Sequence, residues 1–114
     1  MVELSRWAPE PAGADDPRAL IARRFLTALV EAQQPVIEEL LADPSTAPSY
    51  TVGGVASRGR PDVMRFVALH PGDATQVDAQ FDLYYGTGCR ESWLVHVVAK
   101  DDSLHVATVT RAAD

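Results

Sequence analysis

The segment Glu91-Ser-Trp-Leu-Val-His-Val-Val-Ala99 is apolar on both faces of an extended chain and carries one histidine in its middle. Alternate side chains of a strand point to opposite faces, so a strand that is apolar on both needs a cover on each side. Strand-like runs flank it at about 75 to 85 and 104 to 111, set off by turn residues at Gly86-Thr-Gly88 and Asp101-Asp102. The last third of the chain therefore reads as an antiparallel meander, and the helices that cover one of its faces must lie upstream. A lone ionisable group in such a strand is either a satisfied core residue or the floor of a pocket.

The upstream half supplies helices. Asp15-Asp16-Pro17 is a helix start, with Asp16 as cap and Pro17 at the first helical position, where no amide proton is missed. Ile21, Phe25, Ala28, Leu29 and Ala32 then recur at spacings of three and four, predicting one amphipathic helix to about Gln33. Gln34-Pro35 repeats the signal for a short second helix carrying Val36, Ile37, Leu40 and Leu41 and ending near Asp43-Pro44. Gly53-Gly54 between Tyr50-Thr-Val52 and Val55-Ala-Ser57 predicts a small hairpin, and Arg60-Pro61-Asp62 a third helix reaching His70. Residues 1 to 14, broken by Pro9, Pro11 and Gly13, read as a flexible arm before a single domain over 15 to 114. Helices and strands are segregated, which is an α+β pattern.

Composition limits the functions open to the chain. Sixteen acidic against ten basic residues give a net charge of −6, which argues against a nucleic-acid surface held by phosphate contacts. The apolar runs are far short of a bilayer span, and the first residues lack the pattern of a signal peptide, so no membrane association and a cytoplasmic location are expected. Cys89 is the one cysteine, which excludes an internal disulfide. Nine of the ten bases are arginine, the codon bias of a GC-rich, bacterial type of genome.

The paired helices with Phe25-Leu-Thr-Ala-Leu29 and Ile37-Glu-Glu-Leu-Leu-Ala-Asp43, followed by Gly54-Val-Ala-Ser-Arg-Gly-Arg-Pro-Asp-Val-Met-Arg-Phe66 and three long strands, resemble the nuclear transport factor two-like superfamily over about residues 17 to 111. The likeness is to its polyketide-cyclase and ketosteroid-isomerase-like branch. It implies a cystatin-like, cone-shaped α+β barrel in which N-terminal helices pack in a curved antiparallel sheet. It also implies a pocket at the wide end for an apolar or amphipathic small molecule, and homodimerisation through the outer sheet face. The superfamily contains isomerases, cyclases, dehydratases and non-enzymatic partner-binding domains, so two readings stand: a small-molecule site with isomerase-like, cyclase-like or dehydratase-like chemistry, or a dimerisation and interaction module.

Closing both hairpins on the named turns places His96 between Ala79 and Ala107, on a face shared with Phe81, Tyr85 and Leu94. Phe25 and Tyr50 complete the expected pocket lining. An imidazole there can exchange a proton near neutral pH, which makes His96 the catalytic candidate; the alternative is a core histidine satisfied by Tyr50, Tyr85 or a helix carbonyl. Asp78 and Asp82 alternate with apolar residues and share one strand face, either as an acid and base pair or as a solvated outer face. Arg90, Ser92 and Arg111 are expected to gather at one end of the His96 face, and Tyr84 to stand opposite Glu91. Arg58 and Arg60, near an expected helix start, are too few for a nucleotide site. His70, His96 and His105 have no metal-motif spacing, so no metal and no cofactor is expected. Trp93, Val95, Val97, Leu104 and Val106 form the expected apolar dimer face, turned away from the helices.

Overall fold

The computed structural model describes residues 9–46, 61–72, 76–86 and 90–111. Two helices pack on one side of an open, four-stranded antiparallel sheet of order β1 (Val63–Pro71), β2 (Gln76–Tyr84), β3 (Arg90–Lys100) and β4 (Ser103–Arg111). Helix α1 (Pro17–Val30) starts as the sequence predicts: Asp16, in an extended conformation, accepts from the Arg18 amide at 2.9 Å, and Pro17 opens the first turn. It stops at Val30, three residues earlier than expected. Gln33 N–H reaches the Ala28 carbonyl at 2.9 Å and Ala32 N–H the Leu29 carbonyl at 3.3 Å, with Ala32 left-handed at φ 55°. These two bonds satisfy the last helical carbonyls and redirect the chain.

Helix α2 (Gln34–Leu40) buries Ile37 and Leu40. It ends at Leu41, whose backbone is extended and bridges to Val106, while the Ala42 amide donates to the Val106 carbonyl at 2.8 Å. The β4 edge is thereby partly covered, which limits pairing with other chains. On the opposite edge, Glu10 accepts from the Phe66 amide at 2.5 Å and from Arg23 at 2.6 Å, and Arg65 donates to the Pro9 carbonyl. Of the segment read as a flexible arm, residues 9 and 10 are thus tied to β1 and α1.

The expected third helix is not there. Residues Val63–Pro71 form strand β1, antiparallel to β2 (Gln76–Tyr84). Phe66 pairs with Phe81 and Ala68 with Gln80, so Val67 is an inserted residue. The misreading comes from the proline-led start and from Val63, Phe66 and Val67, which recur at helical spacing; in the strand the bulge at Val67 interrupts the two-residue alternation, so that Met64, Phe66 and Leu69 face the helices. The Pro-Gly stop at 71 and 72 ends a strand as well as a helix. The predicted hairpin over Tyr50 to Ser57 lies outside the described residues.

Strands β3 (Arg90–Lys100) and β4 (Ser103–Arg111) complete the expected meander, but two registers differ by one residue. Asp78, not Ala79, faces His96, because the β2–β3 pairing closes on Tyr84 and Arg90 and leaves five residues in the connection. The β3–β4 turn is as predicted, with Asp101 and Asp102 both left-handed between Lys100 and Ser103. A bulge then inserts Ala107, so that Val97 pairs with Val106 but His96 with Thr108. A one-residue slip exchanges the faces of a strand.

The consequence is a reversal of β3 and of β4 up to the bulge. Trp93, Val95, Val97, Leu104 and Val106, expected as an outer dimer band, face the helices: Val95, Val97 and Val106 are buried, and Trp93 and Leu104 pack against the core. That core also holds Phe25, Leu26, Ile37, Phe66, Ala79, Phe81 and Leu83. Phe66 and Phe81 meet edge to face, with ring centroids 5.5 Å apart. Among the described residues no helix is long and apolar enough to cross a membrane.

Candidate functional site

The corrected register moves His96 out of the helix-covered side. Its Nδ1 lies 2.6 Å from Asp78 Oδ1 and its Nε2 2.9 Å from Thr110 Oγ1, on the face without helices. Leu94, paired with Gln80 and Thr110, shares that face. Neither residue can line a pocket under α1. Phe25, Ala79, Phe81 and Tyr85 do lie on the helix side, but Phe25, Ala79 and Phe81 have no exposed surface and are packed core. Ala107 is the bulge residue, and Tyr50 lies outside the described residues.

A polar group that does reach into the helix-covered side is Glu91. It stands opposite Leu83, not Tyr84, in a row with Met64, and Tyr84 faces Arg90. Only 4% of Glu91 is exposed. The Tyr85 hydroxyl donates to Glu91 Oε1 at 3.2 Å, and Arg111, itself half exposed, approaches Oε2 at 3.3 Å. A buried carboxylate without such partners costs several kcal/mol, so the phenol and the guanidinium help to allow it there. In the next row Phe81, Trp93 and Arg111 are aligned across three strands. The indole N–H of Trp93 is buried and has no hydrogen-bond partner among the described residues. Buried donors are nearly always satisfied, so an orphan of this kind calls for an explanation.

The same end of the sheet borders a groove. A groove of about 170 Å³ lies between the C-terminal turn of α1, at Thr27, Val30 and Glu31, and the start of β1, at Pro61, Asp62 and Met64. Met64 is two strands from Glu91 on one face, roughly 10 Å at ordinary strand spacing. Arg23 roofs this end, its guanidinium 5.1 Å from the Phe81 ring centre and donating to the Met64 carbonyl. Chemically the Glu91 cluster offers a carboxylate acceptor, a phenol, a guanidinium and an indole donor without a partner among the described residues, but these groups do not themselves line the groove, which Met64 of the same row borders.

Of the residues expected to gather on the His96 face, Arg90 and Ser92 do so around Asp82, the serine hydroxyl donating to the carboxylate and Arg90 4.0 Å away, whereas Arg111 turns to Glu91. Asp78 and Asp82 share one strand face as read, each bound to its own partner, but Asp82 is buried rather than solvated. Among the described residues no three His, Cys, Asp or Glu side chains converge on one metal position. Sequence reading named Tyr85 as a lining residue but missed Glu91 and Trp93. The available signal was an acid at the head of an otherwise apolar strand. Comparison with known proteins gives no matching family model, no matching curated protein and no matching solved structure.

Proposed function

We propose that this domain binds a small, neutral, hydroxyl-bearing apolar molecule at the α1 C-terminal end of the helix-covered sheet face. The observation that carries the proposal is the buried Glu91 carboxylate, held by Tyr85 and Arg111, beside the indole N–H of Trp93, which has no partner among the described residues. Glu91 and Trp93 are two apart on one strand, so their side chains point the same way about 7 Å apart along it. One ligand hydroxyl between them donates to Glu91 and accepts from Trp93, while Met64 and Val30 of the groove meet its apolar body. The groove is smaller than the ~300 Å³ of common ligand pockets, which favours a compact ligand of one or two fused rings. The nuclear transport factor two-like resemblance, with its wide-end pocket, is part of the same proposal, supported by two helices packed on a four-stranded antiparallel sheet.

Glu91 is also the group placed to take a proton from such a ligand, which is where isomerase-like or dehydratase-like chemistry would reside. The test uses 2-naphthol, whose fluorescence reports hydroxyl hydrogen bonding. Saturable binding that is lost in Glu91→Gln and weakened in Trp93→Phe supports the reading; binding unchanged in both variants overturns it. The interaction-module reading has one observation in its favour: Leu94 and Val98 stand half-buried beside His96 on the face without helices. Self-association through that face would be lost in Leu94→Asp.

A further inference from the structure

The two edges of the sheet are finished in different ways. On β4 the cover is backbone: Leu41 bridges to Val106, and the Ala42 amide donates to the Val106 carbonyl. On β1 it is a pair of side chains. Strand β1 pairs with β2 along one side, and on its other side the Met64 carbonyl and the Phe66 N–H point outward around Arg65. The Arg23 guanidinium donates to that carbonyl at 3.1 Å, and the Glu10 carboxylate accepts from that N–H at 2.5 Å. Arg23 and Glu10 are themselves joined at 2.6 Å. A donor and an acceptor held side by side are what a neighbouring strand would present at this place.

We propose that the Glu10–Arg23 pair is a latch that closes the β1 edge to strand addition, and that the edge beneath it pairs with β1 of a second copy of this chain when the latch opens. The covered groups are self-complementary. In an antiparallel ladder of two β1 strands with its two-fold axis at Arg65, Met64 of each copy stands opposite Phe66 of the other. The Met64 carbonyl of each then accepts the Phe66 N–H of the other, so the two strands satisfy the very groups that Arg23 and Glu10 satisfy in the closed form. Arg65 opposes this pairing, because it meets its own counterpart at the axis and like charges directly opposite are destabilising. The β1 edge therefore carries two guards, the latch and the Arg65 charge, of the kind that keeps natural edge strands apart.

The latch is light. The Glu10 and Arg23 side chains are each 31% exposed, and ion pairs open to water contribute little to stability. Opening it moves residues 9 and 10 away from β1 and releases the Pro9 carbonyl from Arg65. The start of α1 keeps its own turn, in which the Asp16 amide donates to the Gly13 carbonyl at 3.0 Å.

The experiment reads the Phe66 amide directly, by hydrogen exchange in ¹⁵N-labelled full chain at a series of protein concentrations, with sedimentation equilibrium alongside. All samples carry Leu94→Asp, so that association through the open sheet face does not contribute. With Glu10 present the chain should be monomeric and the Phe66 amide protected at every concentration. Adding Glu10→Ala should make that amide exchange fast in dilute protein and slow again as dimer forms, and adding Arg65→Thr as well should shift dimerisation to lower concentration. Circular dichroism verifies that each variant is folded. Three results overturn the proposal: a Phe66 amide still protected in the dilute Glu10→Ala variant, fast exchange with a monomer at every concentration, or a dimer in which that amide stays fast.

Discussion

Adjacent residues Leu94 and Val95 should respond oppositely to truncation, because the register puts them on opposite faces. Val95 has no exposed surface and lies between Ala79 and Val109 under the helices. Val95→Ala removes two methyl groups at about 0.8 kcal/mol each and leaves a cavity that the packed neighbours cannot fill, for a loss of about 2–3 kcal/mol. Leu94 is half-buried on the open face, so Leu94→Ala, although it removes more atoms, should cost about 1 kcal/mol or less. For a domain of this size each kcal/mol shifts the melting temperature by about 4 °C, which separates the two variants by several degrees. Urea denaturation followed by circular dichroism reads both differences directly. If Leu94→Ala proves the more damaging change, the β2–β3 register is the slipped one, with His96 and Leu94 turned toward the helices, and the site described here is wrong.

Other outcomes follow from local geometry. Phe25→Ala, at a fully buried core position, should cost about 3–5 kcal/mol in the same denaturation assay. Ala32→Gly should raise stability by about 0.5–1 kcal/mol, since Ala32 is held left-handed at the end of α1 and glycine adopts that conformation without steric penalty; a decrease would contradict the capping geometry. Asp16→Ala should cost about 1 kcal/mol near neutral pH through loss of the helix cap. Hydrogen bonds from the Arg18 side chain and amide hold the Asp16 carboxyl down at about 2, below its usual 3.8. Its contribution is therefore full above pH 3.8 and disappears as pH falls toward 2, so the gap between wild type and Asp16→Ala should close over that range. Sedimentation equilibrium of wild type and Leu94→Asp tests self-association through the open face, which predicts a dimer for the first and a monomer for the second.

The order of two helices followed by a three-stranded meander was legible because proline-led caps and paired acidic turn residues carry their own geometry. Asp16-Pro17 and Asp101-Asp102 each specify a local backbone that tertiary packing kept. Bulges carry no comparable sequence mark. The proline-led start disguised β1 as a helix, the one-residue-longer β2–β3 connection turned His96 to the opposite face, and the insertion at Ala107 made Thr108 its β4 neighbour. A strand apolar on both sides gives no preference between registers, since Leu94 and Val98 read as core residues as readily as Val95 and Val97. Polar residues would have decided it. Glu91 is the exception that misleads, being charged yet buried, and partners in space such as Tyr85 and Arg111 are what make it tolerated.

The most direct test of the account is the indole N–H resonance of Trp93 in ¹⁵N-labelled protein, assigned by comparison with Trp93→Phe, during titration with 2-naphthol. A hydroxyl seated between Glu91 and Trp93 gives that orphan donor its first acceptor, so the resonance should move downfield and saturate, while the amides of Leu94 and Val98 on the opposite face stay in place. A stationary Trp93 indole, or shifts confined to Leu94, His96 and Val98, would contradict the account by showing that this end of the helix-covered face takes no ligand.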